Sequence, residues 1–117
     1  MPSHSERVEA AVMATQAFCA SRIPDGASDQ IRLDVLRRGR SITIQEQRPP
    51  WDPERMGPDW TSVSVAQLRY DASSRTWALY CSDSRGRWWP YEEIASTRSV
   101  DPLLAEIDRD PTGIFWG

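Results

Sequence analysis

The sequence has no lysine: all 14 of its Lys+Arg residues are arginine. Every fixed positive charge is therefore a planar fork, able to stack on aromatic rings and to grip carboxylates or phosphates at two points. Histidine is nearly as scarce, a single residue, His4, placed at the head of the first helical segment, where a capping or solvent-facing role outweighs a catalytic one. Nucleophilic catalysis needs a base, usually histidine, oriented by a third group, and that base is missing elsewhere. The two cysteines, Cys19 and Cys81, stand far apart and match no metal-ligand spacing, so no metal site and no cofactor are expected. Both thiols read as reduced and intracellular, which places the protein in the cytoplasm. The six glycines are isolated, leaving no phosphate-cradling loop. No apolar run approaches the length of about 18 residues needed to span a membrane. The polar start Met1-Pro2-Ser3-His4-Ser5-Glu6 has none of the apolar stretch of a signal peptide.

What is there is a chain of 117 residues with 17 acidic groups and a net charge of −3. Its length fits one domain, 1–117, and suffices for a core without staples. The charge balance argues against indiscriminate binding to nucleic acid or anionic membranes, which needs a broad positive field.

Ser3 with Glu6 has the form of a capping box. Val8, Ala11, Val12, Thr15, Phe18 and Cys19 follow at helical spacing, with Phe18 expected to be the most buried and Pro24-Asp25-Gly26 stopping the helix. From Ile31 the period becomes two. Ile31, Leu33 and Val35 alternate with Arg32, Asp34 and Leu36, the Arg37-Arg38-Gly39-Arg40 stretch turns, and Ile42 and Ile44 return. Four prolines between Pro49 and Trp60 exclude regular structure there, and so long a loop in a compact domain usually serves a function or is poorly ordered. Val63 to Tyr70, Thr76 to Ser82 and Arg87 to Tyr91 read as three more strands, with Pro90 marking an edge. Asp101 is expected to cap a short helix with Pro102 in its first turn and the stripe Leu103, Leu104, Ile107.

The stretch Trp77 to Tyr91, the run Leu104-Ala105-Glu106-Ile107-Asp108 and the closing Asp110-Pro111-Thr112-Gly113-Ile114-Phe115-Trp116-Gly117 resemble small bacterial proteins grouped as domain of unknown function 3024. Arg48-Pro49-Pro50-Trp51 extends the likeness, which runs over most of the chain, and the octapeptide is its most specific part. Two positions depart from the family pattern, Cys81 where a tryptophan is usual and Trp89 where a histidine is common. The family carries no established activity, so the resemblance implies fold boundaries and no mechanism.

Sequential strands with short turns pair as neighbours. The expected fold is therefore α+β, a five-stranded antiparallel meander with an N-terminal and a short C-terminal helix packed on one face. If Asp71 to Ser74 forms a four-residue loop, Leu68 opposes Trp77, and Ala66, Leu68, Tyr70, Trp77, Leu79, Cys81 and Trp88 share the apolar face. The other face then shows Val65, Gln67, Arg69, Thr76, Ala78, Tyr80, Trp89 and Tyr91, either as a stacking platform or shielded beneath the proline-rich loop.

The turns separate into two ends. One gathers Arg37, Arg38 and Arg40 near Arg69 and Arg75, either a phosphate-binding cluster or a solvated hairpin tip. The other places the loop residues Trp51, Arg55 and Trp60 beside Arg85 and Arg87. Phe115 and Trp116 are expected to fold back between helix and sheet. Glu92 and Glu93 do not converge if the fifth strand reaches them, since strand neighbours point to opposite faces. Asp108 and Asp110 read as turn formers at a helix end, where Arg109 between them weakens a cation site. The function expected is a non-enzymatic protein-binding module with Trp51, Arg55, Trp60, Arg69, Tyr80, Arg85, Arg87, Trp89 and Tyr91 as contact residues. The alternative is binding of single-stranded nucleic acid through Arg69, Tyr80, Trp89 and Tyr91.

Overall fold

A computed structural model of the chain describes residues 2–24, 26 and 30–116. Asp25, inside the expected helix stop, and Gly117 of the closing octapeptide lie outside the described residues. The first helix, α1, spans His4–Arg22. The Ser3 hydroxyl accepts the Glu6 N–H at 3.1 Å and donates to the Glu6 carboxylate at 3.4 Å, so the helix starts where its cap predicts. Val8, Ala11, Thr15 and Cys19 form the buried row. Phe18 is only half buried, contrary to expectation. It lies on the flank of that row and lines the cleft towards Leu104 instead of the centre of the core.

Strands β1 (Arg32–Arg38), β2 (Ser41–Arg48), β3 (Thr61–Asp71), β4 (Thr76–Ser82) and β5 (Trp88–Pro90) form one antiparallel sheet in chain order. Gly39, with φ of 60°, opens the two-residue turn between β1 and β2, a backbone region that glycine enters without the Cβ clash of other residues. On one face of the sheet Ile42, Ile44, Ala66, Leu68, Trp77 and Leu79 meet Val8 and Ala11 of α1. The same cluster takes in Leu103, Leu104 and Ile107 of the C-terminal helix α3, Asp101–Arg109. The protein is thus an α+β fold with both long helices on one side of a meander. Among the described residues no helix is long and apolar enough to cross a membrane.

Two registers differ from expectation, with different consequences. Between β3 and β4, Leu68 opposes Leu79 and Tyr70 opposes Trp77, a slide of two residues. The loop is 72–75 because the Asp71 carbonyl accepts the Arg75 N–H at 2.8 Å, with Arg75 in the left-handed region at φ 58°. An even slide leaves every side chain on its expected face. Between β4 and β5 the slide is one residue: Cys81 opposes Trp89 and Ser82 opposes Trp88. An odd slide exchanges the faces. Trp88 therefore turns to the open face, Trp89 to the side of Cys81, and Tyr91 into the core.

A bulge changes one more assignment. Ile44 opposes Ala66 while Gln45 opposes Ser64, so Val65 is the extra residue and is buried beside Ala66. In the proline-rich loop, Asp52 accepts the Arg55 N–H and Pro53 takes a first-turn position, making the one-turn helix α2, Pro53–Met56, where no regular structure was expected. Val100, with no side-chain capping bond, precedes α3, and Asp101 is its first residue. Glu92 and Glu93 stand exposed in a turn after β5, not on a strand.

The tail folds back as expected. The Asp110 carboxylate accepts the N–H groups of Phe115 at 3.1 Å and Trp116 at 2.9 Å. The Trp116 indole donates to the Ile107 carbonyl at 2.8 Å. Arg22 of α1 lies 3.9 Å over the Trp116 ring and pairs with Asp108 at 2.7 Å, tying both helices to the terminus.

Candidate functional site

The 49–60 loop hangs from the pair Arg48 and Thr61, five residues of β3 beyond its last pair with β4, Ala66 with Cys81. Its conformation is set by Asp52, whose carbonyl accepts the Met56 N–H at 2.8 Å, and by Pro53, whose carbonyl accepts the Gly57 N–H at 2.9 Å. This single turn leaves Trp51 80% exposed, with Met56 and, on the adjoining strand, Val63 also exposed. Trp60 behaves differently. The Arg32 guanidinium sits 3.9 Å over its ring, and the residue is half buried. Trp51 and Arg55 thus project from the loop, while Trp60 holds its root against β1.

The open face of the sheet carries Arg69 and Tyr80, with the guanidinium 3.9 Å over the ring. Arg69 also donates to Gln67 at 2.6 Å, and Gln67 donates to Thr43 at 2.9 Å, a bonded row across β3 and β2 that the Arg69 stack extends to Tyr80 of β4. A shallow groove of about 500 Å³ runs over this face between Leu36, Arg38, Gln67, Arg69 and Trp88.

Arg85 and Arg87 occupy the β4–β5 turn, where Asp83 collects donors. Its carboxylate accepts the N–H groups of Arg85 and Arg87, each at 2.9 Å, the Arg87 guanidinium at 3.0 Å and the Trp89 indole at 3.0 Å. The indole bond first, and then the Arg87 N–H, hold the Asp83 carboxyl far below the usual carboxylate range. Arg87 also lies 5.7 Å over the Trp89 ring. The geometry commits Arg87 to Asp83 and Trp89, not to the 49–60 loop.

Tyr91 belongs to a hydrogen-bonded triad instead of a binding surface, with Tyr91 and Glu106 buried and Arg109 exposed at its rim. Its hydroxyl donates to Glu106 at 2.8 Å, and Arg109 donates to the same carboxylate at 2.6 Å. Burial first, and then Glu106, push the Tyr91 phenol up. The Tyr91 and Arg109 bonds pull Glu106 down. His4, expected at a cap or in solvent, lies 2.8 Å from the Tyr70 hydroxyl through Nδ1. The structure therefore brings together Arg69 with Tyr80 and Arg87 with Trp89, and removes Tyr91 from both groups. Sequence reasoning missed Trp88 on the open face and the Arg32–Trp60 stack. The signal for the first was Trp89 lying within reach of Asp83; the second, across 28 positions of chain, left none.

Comparison with protein families gives a match to Domain of unknown function (DUF3024) over residues 1–117. The chain belongs to this family. No curated protein and no solved structure matches it. In this DUF3024 chain Cys81 and Trp89 are direct cross-strand partners, and the Cys81 thiol donates to the Trp89 carbonyl at 3.6 Å. Among the described residues no group of three or more His, Cys, Asp and Glu side chains is arranged to hold a metal ion.

Proposed function

We propose that this protein is a small non-enzymatic binding module of the cytoplasm, and that its ligand is another protein held by the 49–60 loop. The observation that carries this reading is Trp51, 80% exposed on a loop whose turn is bonded in place. A large ring displayed by an ordered segment, with Met56 and Val63 exposed nearby, is the composition of an interface hot spot rather than of a linker. Arg55 adds an adaptable charge at the rim. The test is affinity capture from the native cytosol with wild type and Trp51→Ala, each with and without nuclease. Proteins held by the wild type and lost from the variant support the reading; proteins held equally by both oppose it.

A second reading, single-stranded nucleic acid on the open sheet face, gains support from Trp88, which turns onto that face beside Gln67 and Arg69. It no longer uses Trp89 or Tyr91. Stacking of bases on Trp88 and Tyr80 would quench tryptophan emission and weaken steeply with salt. Unchanged emission with oligonucleotides at low ionic strength counts against it.

A further inference from the structure

The two edges of the sheet are finished differently. The outer edge of β4 is covered: β5 pairs with its end, the Tyr91 N–H donates to the Leu79 carbonyl at 2.9 Å, and Trp77 exchanges backbone bonds with Thr97 at 2.7 and 2.9 Å. At the other edge β1 runs for seven residues with no strand paired outside it among the described residues. The Arg40 carbonyl bonds to Tyr70 of β3, so in the alternating ladder Ser41 bonds to Arg38 of β1. Leu33, Val35 and Arg37 then turn their N–H and C=O groups outward. Asp34, Leu36 and Arg38 point their side chains onto the open face, and Leu36 is 46% exposed.

We propose that two copies of this chain pair antiparallel through β1 about a two-fold axis, with Asp34 of each opposite Arg38 of the other and the two Leu36 side chains meeting on the axis. The charge pattern selects the register. Alignment of faces allows only slides of two residues, and three such registers pair five or more residues of the strand. One sets Arg32 opposite Arg38 twice, and another sets Asp34 opposite itself. Only the third opposes unlike charges, and it does so twice because an isologous contact repeats each pair. It also makes Val35 and Arg37 the hydrogen-bonded pairs, as their outward groups require. Charged edge strands usually repel a neighbour; here the signs are ordered so that one neighbour fits, a second β1. The product is a continuous ten-stranded sheet with a shared open face.

The test is sedimentation equilibrium of the full chain over a concentration series. The wild type forms dimers. Asp34→Arg and Arg38→Asp each weaken dimerisation at least about tenfold, since each turns two attractive cross-strand pairs into repulsive ones. The double variant D34R/R38D recovers the wild-type constant to within about threefold, a rescue that cannot arise within one chain because the two positions lie about 13 Å apart along the strand. Leu36→Cys supplies a readout independent of the charge variants: a disulfide links two copies at position 36 on mild oxidation, whereas Val35→Cys does not link. A wild type that stays monomeric, single variants that dimerise as well as it does, a double variant that stays weak, or equal linkage by both cysteines would each overturn the proposal.

Discussion

The Asp83 carboxylate and the Trp89 indole are bonded at 3.0 Å across the β4–β5 turn, and this bond decides which aromatic ring faces which side of the sheet. With Asp83 also holding the N–H groups of Arg85 and Arg87, the connection lengthens by one residue and the faces of Trp88 and Trp89 exchange.

This carboxyl is strongly depressed in the folded protein. A depressed carboxyl adds stability that is complete above its unfolded pKa, near 4, and is lost as the pH falls below that value. The hairpin should therefore loosen in acid. Denaturant midpoints at about pH 6 and about pH 3 check this: Asp83→Asn is less stable than wild type at the higher pH, and the gap narrows at the lower one. A gap that stays constant contradicts the assignment.

Trp77 and Trp89 lie on the same side of the sheet but differ in exposure, 2% against 51%. Trp77→Ala opens the core and should cost about 3–5 kcal/mol. Trp89→Ala loses an edge contact and the indole bond to Asp83, about 1 kcal/mol. Urea unfolding of the two variants separates these values.

Tyr91→Phe keeps the ring against Phe115, whose centroid is 5.0 Å away, and removes only the hydroxyl that donates to buried Glu106. The expected loss is about 1–3 kcal/mol by thermal or denaturant unfolding, with no change in any binding activity. A neutral result would remove the triad from the set of contacts that fasten α3 to the sheet.

Burial pushes the Cys19 thiol up to about 11, and Cys81 is raised by burial as well. Because the thiolate is the nucleophile, alkylation of the native protein near neutral pH should be slow at both. It should be slower at Cys19, which is fully buried while Cys81 is half exposed. Mass mapping of the modified peptide after limited alkylation gives the order.

The parts of the fold legible in the sequence are those set by local chemistry. Ser3 and Glu6 mark the start of α1, period-two alternation marks β1 to β4, and Asp110 to Trp116 return the tail by short-range bonds. Apart from Val65, face assignment along β3 and β4 survived a wrong loop position because the error was even. It failed at Trp88 to Tyr91 because Asp83-Ser84-Arg85-Gly86 fits a four-residue turn equally well, and the loop length was decided by a carboxylate reaching an indole six positions on. Val65 gave no warning, since a bulge leaves alternation intact on either side. In the candidate site, Trp51 and Trp60 were both named as contact residues from their place in the proline-rich loop, and the half-burial of Trp60 was not legible because Arg32 reaches it from another strand.

The most direct measurement is the accessibility of each indole to a soluble paramagnetic agent, read as broadening in fluorotryptophan spectra with every resonance assigned by single Trp→Phe variants. Trp51 and Trp89 should broaden first, Trp60 and Trp88 at higher agent concentration, and Trp77 last. Broadening of Trp77 together with Trp51, or a protected Trp51, would contradict both the division of the sheet into its two faces and the display of the loop.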